Sequence, residues 1–168
     1  FSPLSSIKRS EIAAICVRLA VPAERSSKAL APKPSSSALT ATEIAEKCSP
    51  AVFFISVYGM SGNQIATGSG FFISPDGLAL TNYHVAANSS CLTAAATDGT
   101  VYSSIDVIDA DEQNDLALLR VKGVSNHPYI KLGDSSAVKQ GQTVYAIGSP
   151  LGLSNTLTTG IVSNANRV

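Results

Sequence analysis

Two side chains that could perform acid–base chemistry, His84 and Asp115, lie 31 positions apart in the sequence. Histidine can change its charge near neutral pH, so His84 is a candidate general base. A partly buried aspartate that accepts a hydrogen bond from imidazole Nδ1–H would fix the ring tautomer and stabilise the imidazolium. Each residue alone has a simpler interpretation: His84 as a histidine at the rim of a strand, and Asp115 as a cap for the turn over residues 109–114.

A base of this kind acts on a nucleophile, and two serines beside glycines, Ser69 and Ser149, are candidates for that role. Residues 148–152 read GSPLG, which lacks the Gly-x-Ser-x-Gly spacing of a nucleophile elbow, and a proline follows the serine. We therefore interpret Ser149 as a turn residue and Ser69 as a strand residue. His84 and Asp115 remain the candidate catalytic residues.

Composition argues against several other classes of function. Lys plus Arg and Asp plus Glu each number 12, so charge gives no reason to expect binding to nucleic acid or to an anionic membrane. Three cysteines and two histidines are widely spaced, which predicts neither a disulfide framework nor a metal site. No glycine-rich loop ends in Gly-Lys-Ser/Thr, so nucleotide chemistry is poorly supported. We expect no cofactor, no metal and no integral membrane span.

The elements that must position the two candidate residues follow an N-terminal extension, residues 1–42. Within it, residues 1–23 resemble either a signal peptide or an amphipathic helix, and residues 24–39 have the Ser, Pro and Lys content of a flexible linker. Thr40 and Glu43 have the spacing of a capping box, which predicts a short helix through about Lys47. Pro50 should end that helix.

Short strands dominate the rest of the chain. Apolar runs bounded by Gly, Pro and Asp predict strands at residues 51–58, 69–73, 78–82, 92–96, 101–109, 116–121, 143–148 and 157–164. Tight turns are expected at residues 75–77 and at 98–99. Residues 122–136 have little periodicity and are expected to connect two β units. This pattern predicts an all-β barrel or sandwich with one short helix.

Three ordered blocks in this chain resemble the trypsin-like serine proteases, and most closely the HtrA/Deg group. The blocks are TGSGFFISPDGLALTNYHVAAN around His84, NDLALLRV around Asp115, and VYAIGSPLGLSNTLTTGIVSNANRV near the C-terminal end. The resemblance extends over residues 43–168. It implies a chymotrypsin-like double β-barrel in which His84 is the general base and Asp115 its orienting acid.

The resemblance also implies a division of the chain and a reaction. Residues 43–130 would form the first barrel, and residues 131–168 the connector and the opening strands of the second. The family's serine lies in a Gly-Asn-Ser-Gly-Gly-Pro block, which would follow Val168, so we expect this fragment alone to be inactive. The parent would be a serine endopeptidase. The alternative is a protease-fold homologue that has lost its serine and binds proteins without cleaving them.

Expectations about partners and location rest on the same resemblance. Substrates would be proteins or peptides, including unfolded proteins, and the full-length protein would be a candidate homotrimer. An extracytoplasmic location, whether periplasmic, secreted or organellar, is expected for this group.

Overall fold

The computed structural model describes residues 39–149 and 156–164. These residues form nine strands in two sheets, with two short α-helices. The helices are α1 (Ala41–Cys48) and α2 (Tyr83–Ala86), and 3-10 turns occur at Ser49–Ala51 and Ser135–Ala137. The strands are β1 (Val52–Tyr58), β2 (Gln64–Phe72), β3 (Leu78–Thr81), β4 (Cys91–Ala96), β5 (Val101–Tyr102), β6 (Ile105–Asp111), β7 (Leu116–Val121), β8 (Thr143–Gly148) and β9 (Thr156–Ile161). The prediction of an all-β protein is confirmed.

Helix α1 begins and ends where the sequence predicts. The Thr40 side chain accepts a hydrogen bond from the Glu43 backbone N–H, and the Glu43 carboxylate accepts one from the Thr40 backbone N–H. This reciprocal capping box satisfies two donors at the helix start. Pro50 lies in the 3-10 turn that follows, so the α-helix stops before it.

The first sheet has seven strands in the order β5-β4-β1-β2-β3-β7-β6, and all of its adjacent pairs are antiparallel. The edge strands β5 and β6 follow one another in the chain, separated only by Ser103 and Ser104. Because that short link joins opposite edges, the sheet must curl until the edges approach. The curl encloses one apolar cluster, built around Phe53, Phe72 and Leu119.

Strand β7 is buried on both faces, which explains its nearly continuous apolar sequence. Leu119 and Val121 point into the enclosed cluster, whereas Leu116 and Leu118 belong to a second cluster on the opposite face. Ile147 of β8 packs against that second cluster, so β7 lies between the core of the first sheet and the start of the second. The residue that precedes β7 is Asp115.

The larger differences from the predicted strands are the following, and the other bounds differ by one residue at most. Strand β2 begins at Gln64 rather than Ser69, because Gln64 and residues 66–68 pair with β1 although they are small or polar. The single strand predicted over residues 101–109 is two strands, because β5 pairs with β4 and β6 pairs with β7. The last strand is Thr156–Ile161, so it starts one residue earlier and ends three residues earlier than predicted.

Strands β8 and β9 form a separate two-stranded sheet. Residues 122–136, predicted as a connector, contain no strand. The signal-like or helical segment of residues 1–23 lies outside the described residues, as does the predicted linker except for Leu39. None of the helices in residues 39–149 and 156–164 is both long and apolar enough to cross a lipid bilayer.

Candidate active site

The pairing of β3 with β7 brings His84 and Asp115 together across 31 positions of sequence. In this antiparallel pair Thr81, the last residue of β3, lies opposite Ala117 near the start of β7. Beyond that pair, β3 continues into Asn82 and α2, and β7 is preceded by Asp115. The register therefore places the residues after β3 beside the residue before β7.

His84 lies in the helical turn α2 rather than at a strand end, which corrects the predicted position and adds a second helix. Four residues are too few to produce a helical periodicity that the sequence could reveal. The turn packs on β2 through Val85, which is buried. A Cβ at Gly68 would lie 2.6 Å from Val85 Cγ1, so glycine is required for α2 to approach the sheet this closely.

Asp115 ends the turn between β6 and β7 in a left-handed conformation, with φ of 55°. Asp and Asn adopt this region more readily than other non-glycine residues. The turn is held by Asp111, whose carboxylate accepts hydrogen bonds from the backbone N–H of Asn114 at 2.9 Å and from its side-chain amide at 2.7 Å. Asp111 is thus the carboxylate that caps this turn, and the alternative interpretation of Asp115 as the cap is wrong.

The Asp115 carboxylate points away from its own turn and binds His84. Imidazole Nδ1 lies 2.9 Å from both Oδ1 and Oδ2 of Asp115. The backbone N–H of His84 donates a further hydrogen bond to Oδ1 at 3.0 Å. An ionised carboxylate can only accept, so this contact places the ring proton on Nδ1 and leaves Nε2 unprotonated in the neutral ring.

Asn82 is a third residue of this site, and sequence reasoning did not single it out. Its side-chain Nδ2 donates to Oδ2 of Asp115 at 3.1 Å and approaches the Asp115 backbone oxygen at 3.4 Å. Its position two residues before His84, within the TNYH block, was the signal available. The contact itself depends on the β3–β7 register, which the spacing does not reveal.

Two opposing influences act on Asp115. Its partial burial raises the pKa of the carboxyl, but hydrogen bonds from the His84 backbone and ring, the electrostatic attraction of His84 and a hydrogen bond from the Asn82 amide lower the pKa by more. The net result is a pKa below the usual value for aspartate. Asp115 is therefore ionised at neutral pH, as an acceptor for Nδ1–H must be.

The edge of the histidine ring opposite Asp115, which carries Nε2, is open to solvent. The His84 side chain is 69% exposed and that of Asp115 is 28% exposed. Within residues 39–149 and 156–164, the hydrogen bonds of the ring all involve Nδ1. A neutral imidazole held in this way can take a proton at Nε2 from a group that approaches from solvent.

Ser69 and Ser149 bind each other at the boundary between the sheets. The backbone N–H of Ser149 donates to Oγ of Ser69 at 2.9 Å, and Ser149 is buried. The Ser69 backbone oxygen accepts a hydrogen bond from Thr81 Oγ1. Through these contacts, Ser69 and Ser149 link β2 to β3 and to the end of β8.

Within residues 39–149 and 156–164, no group of three or more His, Cys, Asp or Glu side chains has the arrangement of a metal site. Cys48 is buried and Cys91 is exposed, and both are free thiols.

Comparison with protein families gives a match to the trypsin-like peptidase domain over residues 68–167. Among curated proteins, the chain is 43% identical over 130 residues to serine protease HTRA1 of Xenopus tropicalis, which covers 74% of this chain and 28% of the relative. It is 40% identical over 130 residues to mitochondrial serine protease HTRA2 of Bos taurus, with the same coverage of both chains. It is 41% identical over 134 residues to serine protease PepD of Mycobacterium tuberculosis, again covering 74% and 28%.

Among solved structures, the fold is similar to that of the HtrA-type protease AlgW with a tripeptide. The TM-score is 0.68 at 30% sequence identity, and the match covers 75% of this chain and 40% of that chain. This likeness confirms the predicted chymotrypsin-like fold. The chain thus spans little more than a quarter of the length of these curated relatives.

Proposed function

Because the chain belongs to the family of trypsin-like peptidases, we propose that it carries the acid–base half of an HtrA-type serine endopeptidase. The observation that carries this proposal is the contact of His84 Nδ1 with the Asp115 carboxylate at 2.9 Å, with the ring otherwise open to solvent. An imidazole with its proton fixed on Nδ1 is ready to act as a base through Nε2.

In the proposed reaction, a serine hydroxyl attacks the carbonyl carbon of a peptide bond while Nε2 of His84 takes the hydroxyl proton. Asp115 stabilises the resulting imidazolium through its two oxygens. His84 then delivers the proton to the departing amine, which leaves an acyl-enzyme. In the second half of the reaction His84 takes a proton from water, the water attacks the ester, and the proton returns to the serine.

The nucleophile in this proposal is a serine outside residues 1–168, as the family resemblance implies. The structural positions of Ser69 and Ser149 support this, because Ser69 Oγ accepts the Ser149 backbone N–H at the boundary between the sheets. We also propose residues 43–130 as the first barrel and residues 131–168 as the connector and opening strands of the second. The separate sheet formed by β8 and β9 supports that division.

The alternative of a non-catalytic binding module is not favoured by any observation at the site. A module that only binds proteins has no need for a carboxylate directed at imidazole Nδ1. The curated relatives described above are also named as serine proteases.

The proposed substrates are proteins or peptides, including unfolded proteins. The tripeptide in the similar HtrA-type structure supports a peptide-binding site. We further propose a homotrimer for the full-length protein and an extracytoplasmic or organellar location. A mitochondrial relative supports the organellar part of this proposal.

The test uses the full-length protein with fluorescent casein and a serine-reactive phosphonate probe. We expect the wild type to cleave casein and to be labelled at one serine outside residues 1–168, identified by mass spectrometry of tryptic peptides. Replacement of His84 by alanine (His84→Ala) should abolish both casein cleavage and labelling by the probe, because the nucleophile then has no base.

A matched control is His127→Gln, which alters the other histidine, one that packs on Phe72 away from Asp115. This variant should still be labelled, provided that its circular dichroism spectrum shows a folded protein. Labelling at Ser69 or Ser149 would overturn the assignment of the nucleophile. Turnover retained in His84→Ala would remove His84 from the mechanism.

A further inference from the structure

We propose that Asn82 is a positioning residue that holds the Asp115 carboxylate in the orientation that His84 needs. This inference rests on the proposed function, because positioning has a purpose only if His84 is a base. It concerns a residue that contacts Asp115 rather than the reacting atoms.

The first observation is that Asn82 occupies the N-cap position of α2 without acting as a cap. Asparagine is favoured at N-caps because its side-chain oxygen accepts a backbone N–H from the first turn. The side chain of Asn82 makes no such bond. Instead, the N–H of His84, the second residue of α2, is satisfied by Oδ1 of Asp115. The distant carboxylate therefore does the capping, and helix capping does not explain the asparagine.

The second observation is how the donors divide between the two carboxylate oxygens. Oδ1 of Asp115 receives the His84 backbone N–H, and Oδ2 receives the Asn82 amide at 3.1 Å. The imidazole Nδ1 lies between them at 2.9 Å from each. A backbone donor on one oxygen and an amide donor on the other oppose rotation of the carboxylate about its terminal bond.

The third observation is that Asn82 also approaches the backbone oxygen of Asp115, at 3.4 Å. The same amide group thus contacts both the side chain and the main chain of one residue. A contact with the Asp115 backbone oxygen also restrains the main chain from which the carboxylate projects. Asn82 therefore links the end of β3 to both parts of Asp115.

Loss of the Asn82 amide should free Oδ2 and allow the carboxylate to rotate away from Nδ1. Nitrogen-15 NMR of the histidine rings in the 168-residue chain measures this directly, since the two tautomers of neutral imidazole give different shift patterns. The chain has only two histidines, so His127 is an internal reference in every spectrum. We expect wild-type His84 to carry its proton on Nδ1.

In Asn82→Ala, we expect the ratio of the Nδ1–H to the Nε2–H tautomer at His84 to fall by about tenfold, which corresponds to the loss of one hydrogen bond to a charged group. The His127 pattern should not change. Asn82→Asp has nearly the same shape but places a second carboxylate beside Asp115, so it should also disturb the tautomer. Asn63→Ala, which removes an exposed amide from the β1–β2 turn, is the matched control and should leave both histidines unchanged.

The kinetic measurement uses the full-length protein and a peptide substrate. We expect Asn82→Ala to lower kcat by about tenfold with little change in KM, because the contact affects the base rather than substrate binding. Urea midpoints of wild type and variant should be compared, because a merely structural role would lower stability without changing the tautomer.

The outcomes separate this inference from the proposed function. An unchanged His84 tautomer in a folded Asn82→Ala chain would overturn the positioning role, whatever the activity. A wild-type protein that shows the Nδ1–H tautomer but cleaves no peptide would overturn the proposed function, and the purpose of the positioning with it. A shifted tautomer together with a lowered kcat supports both.

Discussion

Two aspartates at opposite ends of one turn, Asp111 and Asp115, use the same functional group in different ways. The Asp111 carboxylate binds the backbone and side chain of Asn114, three residues away, and so shapes the turn itself. The Asp115 carboxylate binds His84 and Asn82, which are 31 and 33 residues away.

The surroundings of the two carboxylates differ accordingly. Hydrogen bonds from the Asn114 side chain and backbone are the main reason why the pKa of Asp111 lies below its usual value. At Asp115, burial is the largest influence and raises the pKa. The interactions with His84 and Asn82 together lower the pKa below its usual value. The Asp111 carboxylate thus takes its hydrogen bonds from its own turn, whereas the Asp115 carboxylate takes them from a distant segment.

The largest effect that tests this contrast is on catalysis in the full-length protein. Asp115→Asn should lower kcat by roughly 10⁴-fold, because an amide no longer favours the Nδ1–H tautomer or stabilises the imidazolium. Asp111→Asn should lower kcat by less than about tenfold, since it alters only contacts within the turn. The measurement is kcat with a peptide substrate, and equal losses in the two variants would remove the distinction between the aspartates.

A smaller effect is expected on stability when each aspartate is changed to alanine rather than asparagine. Asparagine tolerates the left-handed conformation of residue 115, whereas alanine in that region costs roughly 1–2 kcal/mol. Asp115→Ala should therefore have a free energy of unfolding about 1 kcal/mol lower than Asp115→Asn. Residue 111 does not have a positive φ, so the corresponding pair there should lack this difference. Urea unfolding of the four variants of the 168-residue chain is the measurement.

The smallest effect is on how stability depends on pH. Since the pKa of Asp115 is lowered in the folded chain, the ionised carboxylate favours folding at pH values above the ordinary aspartate pKa of about 4. That contribution is lost as pH falls through the lowered pKa. As pH falls below about 4, the difference in urea midpoint between wild type and Asp115→Asn should shift against the wild type. A difference that stays constant down to pH 2 would contradict the lowered pKa.

The parts of the fold that the sequence predicted well depend on local signals. The capping box of Thr40 and Glu43 fixes the start of α1 within one turn, and β7 is recognisable because both of its faces are apolar. The turn at residues 75–77 is recognisable from its Pro-Asp-Gly sequence, and Gly77 has the φ of 94° that few other residues adopt. These features need no knowledge of distant residues.

The parts that were missed depend on pairing between distant segments. Gln64 and Ile65 are exposed and become part of a strand only because β1 lies beside them. His84 and Asp115 could be named as partners only through the family blocks, since their spacing alone does not reveal the β3–β7 register. Asn82 was missed for the same reason, because its partner lies 33 residues away.

One carboxylate oxygen, Oδ1 of Asp115, accepts both the amide of His84 and a share of its ring proton. A rotation of the carboxylate that withdraws Oδ1 therefore breaks the hydrogen bond of this amide and one of the two contacts of the ring together. The exchange rate of a single amide proton with deuterated water then reports on how firmly the carboxylate is held, in a folded chain and without any substrate.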